Sequence, residues 1–244
     1  MLGLGSNIAS IGSHCSVSSF SPEDVSNLQL WLKNNHSVTT AQWSDSSGNG
    51  LAMVQGASGN QASVSEGGLD FVEGNEDHYD LVDSSSSATT ISIASQEAFM
   101  IFIVCNIRDY DSNNSILSTD NASKYFLEFQ TNRKIRINTG TSGPASSCEY
   151  AAGSFTAGAK MVVGIQREAG ATGNINTFKN GSLLSPTNGQ KAQNDVIAFD
   201  GMGTRTSDRF FDGIIHELLC YDTADLTSDE ITNINNYLKT KHGI

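Results

Sequence analysis

The last thirty-five residues, FFDGIIHELLCYDTADLTSDEITNINNYLKTKHGI (210–244), constrain the fold more than any other stretch. Asp212-Gly213 is a turn, and Ile214 to Tyr221 reads as a strand with apolar residues on both faces. In LTSDE, Thr227 stands as N-cap with Glu230 three residues on, the spacing of a capping box. Ile231, Ile234, Tyr237 and Leu238 then recur at helical spacing and give one buried stripe. Lys239, Lys241 and His242 place positive charge in the last turn, where the helix dipole favours it, and Gly243 is the C-cap. A strand covered on both faces and followed at once by an amphipathic helix calls for a sheet that carries that helix on its outside.

Upstream, short apolar runs alternate with turn chemistry. Residues 1–27 read as an arm punctuated by Gly and Ser, ending in a helical turn with Ser21 as N-cap and Pro22 at its first position. Leu28, Leu30 and Leu32 alternate as in a half-buried strand, with Trp31 and Trp43 bracketing the next loop as core residues. WSDSSGNG (43–50) has the Asp, Ser, Asn and Gly of tight turns. EAFMIFIVCNI is the most apolar strand and is expected at the centre of a sheet, covered on both sides. KYFLEFQ, RKIRINTG and KMVVGIQRE supply further strands, and Asn180-Gly181 in NINTFKNGSLL is a hairpin turn. With 23 Gly, 3 Pro and 38% apolar residues, the chain suits many short strands around one core. The fold class expected is therefore all-β: an antiparallel two-sheet jelly-roll sandwich over 28–244 with one C-terminal α-helix packed on it.

Charge excludes one class of partner. Fourteen Lys plus Arg stand against 26 Asp plus Glu, a net −12, with no basic run, so the surface repels nucleic acid. FMIFIVC is too short to span a bilayer, so no membrane insertion is expected. The first twenty residues contain no Lys or Arg and no continuous apolar core, unlike a secretory signal; either the chain is made in the cytoplasm or a signal has already been removed. Cys15, Cys105, Cys148 and Cys220 have no zinc spacing and are expected as free thiols, although Cys148 lies where pairing is also open.

The order of these landmarks resembles the laminin-G-like branch of the concanavalin A-like lectin/glucanase superfamily. LQLWLKNNHSVTTAQWSDSSGNG is similar to the family's opening strands and D-x-S-G-N-G turn. GLDFVEGNEDHYDLVD is similar to its F-x-G-x-x-D-Y-L segment, NTFKNGSLL to its Y-x-N-G hairpin, and FDGIIHELLCYDTADLTSDEITNINNYL to its closing strand and helix. Leu218 replaces the usual Val, and Asp222-Thr223 the usual Asn-Arg. The resemblance implies the fold; it implies no single function, because the fold serves lectins, enzymes and structural modules alike.

Glucanases of the superfamily set two carboxylates two or four residues apart on one strand. No E-x-D-x-E occurs here: Glu217 stands alone with His216 expected on the opposite side of the strand, and YFLEF has only Glu128. No G-x-S-x-G elbow appears, and GLGSNIASIGS lacks both the preceding strand and the closing Lys of a phosphate loop. The chain is therefore read as a non-enzyme. Relatives bind calcium at a sandwich rim, and Glu73, Asn75, Glu76, Asp77 and Asp80 are the candidate calcium ligands, the alternative being a solvated acidic loop. Tyr79, Tyr110 and Tyr150, beside loops, are the candidate platforms for a glycan or a protein, the alternative being that they plug loop bases.

The reading that follows is an adhesion or decoration module that binds glycans or neighbouring structural proteins, as an oligomer or within an assembly. Its glycine-rich MLGLGS start resembles accessory structural proteins of bacteriophage virions, which implies a virion surface reached from a host cytoplasm. The alternative is a secreted or cell-surface lectin, which the sequons at Asn35, Asn121 and Asn180 suit; a polysaccharide-degrading enzyme stands third.

Overall fold

The structure, a computed structural model, describes residues 20–119, 125–131, 133–138, 147–149, 154–171, 173–185, 196–203, 209–222 and 225–244, with 125, 138 and 147–149 in backbone only. Strands β1 (Leu28–Leu32), β2 (Gln42–Ser44), β3 (Ala52–Val54), β4 (Ser63–Ser65), β5 (Gly68–Phe71) and β6 (Tyr79–Val82) come first. Next are β7 (Ile91–Ile93), β8 (Phe99–Ile107), β9 (Asn114–Ser118), β10 (Tyr125–Phe129), β11 (Ile135–Asn138) and β12 (Ser147–Glu149). The chain continues through β13 (Met161–Arg167), β14 (Ile175–Lys179), β15 (Ser182–Leu183), β16 (Ile197–Phe199), β17 (Gly201–Met202) and β18 (Gly213–Asp222), and closes with helix α1 (Ser228–His242).

Two antiparallel sheets face each other. The first runs β15-β14-β13-β8-β18, and β18 pairs on its far side with β5 at Gly213–Ile215 and with β1 at Leu218–Tyr221; β4 lies outside β5. The second runs β12-β11-β10-β9-β17-β6-β3-β2, and β16 pairs with β7 apart from both. This is the sandwich with one helix expected from the sequence.

The period-two rule explains how one strand serves two layers. In β8, Phe99, Ile101, Ile103 and Cys105 enter the core between the sheets, while Met100, Phe102 and Val104 enter a second core under α1. The facing sheet fills the first core with Trp43, Met53, Leu81, Leu127, Phe129 and Ile137. The second core is closed by Leu226, Ile231, Ile234 and Leu238. β1 departs from the half-buried strand expected: Leu30 and Leu32 enter the inner core, Trp31 enters the core under the helix, and all three are fully buried.

The local predictions about α1 hold at both ends. Thr227 Oγ1 accepts the Glu230 amide at 3.3 Å, and Glu230 Oε2 accepts the Thr227 amide at 2.8 Å. Gly243 is left-handed at φ 68, its amide bonded to the Lys239 carbonyl. Asn180 (φ 51) and Gly181 (φ 85) form the hairpin between β14 and β15. The described part of the arm already belongs to the body: Val25 is buried in the core under α1, and the Tyr221 hydroxyl donates to the Pro22 carbonyl at 3.0 Å. Cys105 and Cys220 are buried free thiols, and burial pushes the Cys105 thiol up to about 12. Cys15 lies outside the described residues, as does the Cys148 side chain.

Candidate functional site

The aromatic residues singled out in the sequence turn inward. Tyr79 is fully buried in β6, edge-on to Phe71 with centroids 5.7 Å apart, and its hydroxyl donates to the Thr40 carbonyl at 2.6 Å. Tyr110 is 7% exposed and belongs to the same core. A sugar needs an open ring face, so neither is a platform, and both expectations are corrected by burial. Tyr150 lies outside the described residues.

The acidic loop does not assemble a coordination shell. Glu73–Asn75 form a 3-10 turn, and Glu76 takes a left-handed conformation with its amide on the Glu73 carbonyl. Asp77 turns inward, 1% exposed, and its Oδ2 accepts the Val72 amide at 2.8 Å; desolvation holds its carboxyl above the usual range. Asn75 and Glu76 point into solvent, and Asp80 is exposed on β6. Calcium takes six to eight oxygens, whereas no three acidic, His or Cys side chains converge among the described residues. As folded, the loop does not fit the ion; what Asp77 does is tie the loop to the end of β5.

Glu217, in contrast, sits at the centre of a polar cluster. Its carboxylate has no solvent exposure and accepts from the Trp31 indole at 2.7 Å, Lys241 Nζ at 2.9 Å and His242 Nε2 at 2.7 Å. Burial alone would raise its pKa; the His242 bond and the Lys241 charge outweigh it and hold the carboxyl below the usual carboxylate range. The cluster fastens the last turn of α1 to β18. A bulge between Ile215 and Glu217 breaks the alternation there, so His216 does not face away from its neighbour. Its ring centroid lies 5.9 Å from that of His242, and its Nε2 meets Asn106 Oδ1 at 3.1 Å. Glu128 is a second buried carboxylate, on β10 of the other sheet, paired with Arg209 at 2.7 Å.

The clamp positions a groove on the outer side of α1. Asn233, Asn236, Tyr237, Thr240 and Lys241 recur at i, i+3, i+4, i+7 and i+8, one helix face adjoining the buried stripe, and Phe20 forms the opposite wall. Together they line a depression of about 370 Å³. Tyr237 stands edge-on to Phe20 on one side and to Trp31 on the other, with both centroids 6.4 Å away. Trp31 fixes the ring while its exposed part and Phe20 make an aromatic corner, flanked by two solvent-exposed amides and a hydroxyl. A second depression, about 290 Å³, lies along β2, β3 and the Asp83–Ser86 turn, and only polar and aliphatic residues line it. Of these two, the first combines aromatic faces with donors and acceptors. The sequence placed Tyr237 in the buried stripe; the signal for its second role was the run of Asn233, Asn236 and Thr240 beside it.

No protein-family profile matches the sequence, and no curated protein matches it. Solved structures do match. Trypanosoma rangeli sialidase in complex with sialic acid aligns with a TM-score of 0.59 at 16% identity, over 89% of this chain and 33% of that one. The botulinum neurotoxin serotype G binding domain aligns at 0.57 and 16%, over 88% and 52%. A botulinum neurotoxin type C structure, described as interacting with two ganglioside molecules, aligns at 0.51 and 15%, also over 88% and 52%. The chain thus spans about a third of the sialidase and about half of the toxin chains. At these identities the likeness is one of fold: a β-sandwich.

Proposed function

We propose that this chain is a non-enzymatic glycan-binding module whose ligand occupies the Phe20–Tyr237 groove. The observation that carries the reading is the aromatic corner with Asn233, Asn236 and Thr240 beside it: a sugar ring stacks its C–H face on an aromatic side chain and hydrogen-bonds through its hydroxyls. Two of the similar folds come from proteins described with sialic acid or with gangliosides, which supports a glycan as ligand. Support for the non-enzymatic part comes from the carboxylates. Glycosidases of most families, though not sialidases with their tyrosine nucleophile, use two of them within about 10 Å across one bond. Glu217 is consumed by the helix clamp on the first sheet, and Glu128 is buried against Arg209 on the second. The same proposal places the module in a larger assembly such as a virion surface, on the sequence resemblance of its opening arm; co-purification with particles tests that part.

A glycan array probed with the full-length protein tests the binding. Specific signals are expected with calcium and equally with chelator, since the 73–80 loop gathers no ligand set. They should be lost in Tyr237→Ala and weakened about tenfold in Asn236→Ala, whose side chain is exposed and bears no structural load. Binding that vanishes only in chelator would move the site to the acidic loop.

A further inference from the structure

We propose, resting on the reading of the Phe20–Tyr237 groove as the glycan site, that the groove selects uncharged saccharides and discriminates against sialylated or otherwise anionic ones. Lys241 is the one cation among the described residues that line it, and its ammonium is held 2.8 and 2.9 Å from the two oxygens of the buried Glu217 carboxylate. A sugar carboxylate is held most strongly by an unspent cation or a guanidinium fork, and taking Lys241 for that purpose would strip the buried Glu217 carboxylate of one of its three donors.

The remaining side chains that line the groove are uncharged. Asn233, Asn236 and Thr240 are neutral donors and acceptors that match hydroxyl and acetamido groups. Burial, and after it the charges of Glu217 and Glu23, push the Tyr237 phenol up to about 12, while Lys241 Nζ, paired with Glu217, lies 5.7 Å from the ring centroid. A net charge of −12 adds long-range repulsion. An anionic glycan therefore meets the long-range repulsion of the net charge and, in the groove, a lysine already paired with Glu217.

The experiment titrates the full-length protein with a neutral oligosaccharide identified on the array and with its sialylated counterpart, at 20 mM and 500 mM salt. Expected is binding of the neutral sugar at least fivefold tighter at low salt, with the gap narrowing at high salt as the field is screened. Glu23→Gln should narrow it as well, because Glu23 makes no contact that the fold needs beyond a short 3-10 turn. Tyr237→Ala and Asn236→Ala should reduce binding of both sugars in parallel. Sialylated sugar binding as tightly as the neutral one, and lost in Asn236→Ala, would overturn the selectivity while leaving the groove as the site. Glycan binding unchanged in both groove variants would overturn the site itself.

Discussion

A carboxylate without solvent exposure needs a partner on every oxygen, and Glu217 has three donors on two oxygens. Its replacement by Ala leaves the Trp31 indole and His242 without their acceptor and should cost about 3 kcal/mol, read as a lower urea midpoint; Glu217→Gln should cost less, because the amide oxygen still accepts. His216 sets a pH dependence. Desolvation lowers its pKa from 6.5 to about 4, so between these values the unfolded chain binds a proton that the folded chain refuses. Stability is then full above about pH 6.5 and falls as the pH drops toward 4, by on the order of 2–3 kcal/mol. Glu217, whose carboxyl is held below the usual carboxylate range in the fold, adds a further loss as the pH falls through that range. Thermal melts from pH 7 to 4 should show the decline, and His216→Gln should flatten its upper part; a flat wild-type profile would contradict the assignment.

Elements follow from local chemistry wherever that chemistry closes within a few residues. The capping box at Thr227 and Glu230 uses groups three positions apart, so it was legible, and Thr227→Ala should destabilise by about 1 kcal/mol in chemical denaturation. The Asn180-Gly181 turn is equally local: both residues have positive φ, which Gly181 adopts freely and a β-branched residue does not. Gly181→Val should lower the melting temperature by a few degrees through strain of about 1–2 kcal/mol. Alternation is legible in β6 too: Tyr79 and Leu81 share one face of the strand, and that face is the core. Other features had no local signal. The bulge at His216 adds one residue to an otherwise regular strand, and two-residue β17 is too short to show a period.

At the scale of the molecule, three layers are stacked: second sheet, first sheet and helix, with cores between each pair. The helix is thus both a lid on one core and a wall of the groove, so loss of its clamp should weaken glycan binding and stability together. Ile234→Ala, at a fully buried position under α1, should cost about 2–4 kcal/mol and reduce groove binding more than the same change at exposed Thr232, measured by denaturation and titration on one preparation. The acidic surface makes a further expectation simple: no retention of DNA or RNA in filter binding even at 50 mM salt.

The amino-acid sequence by itself determined the sandwich, its central strand FMIFIVC, the hairpin and the capped helix, because period, turn residues and caps act over a few positions. It also determined the charge, and with it one class of partner that the chain repels. Only the tertiary structure decided which polar groups meet. Glu217 was a lone carboxylate in a strand until α1 folded back with Lys241 and His242, and Asn233, Asn236 and Thr240 resembled a solvated helix face until Phe20, from the opposite end of the described chain, closed the groove over them. Such meetings depend on how layers stack, and no short-range pattern encodes them.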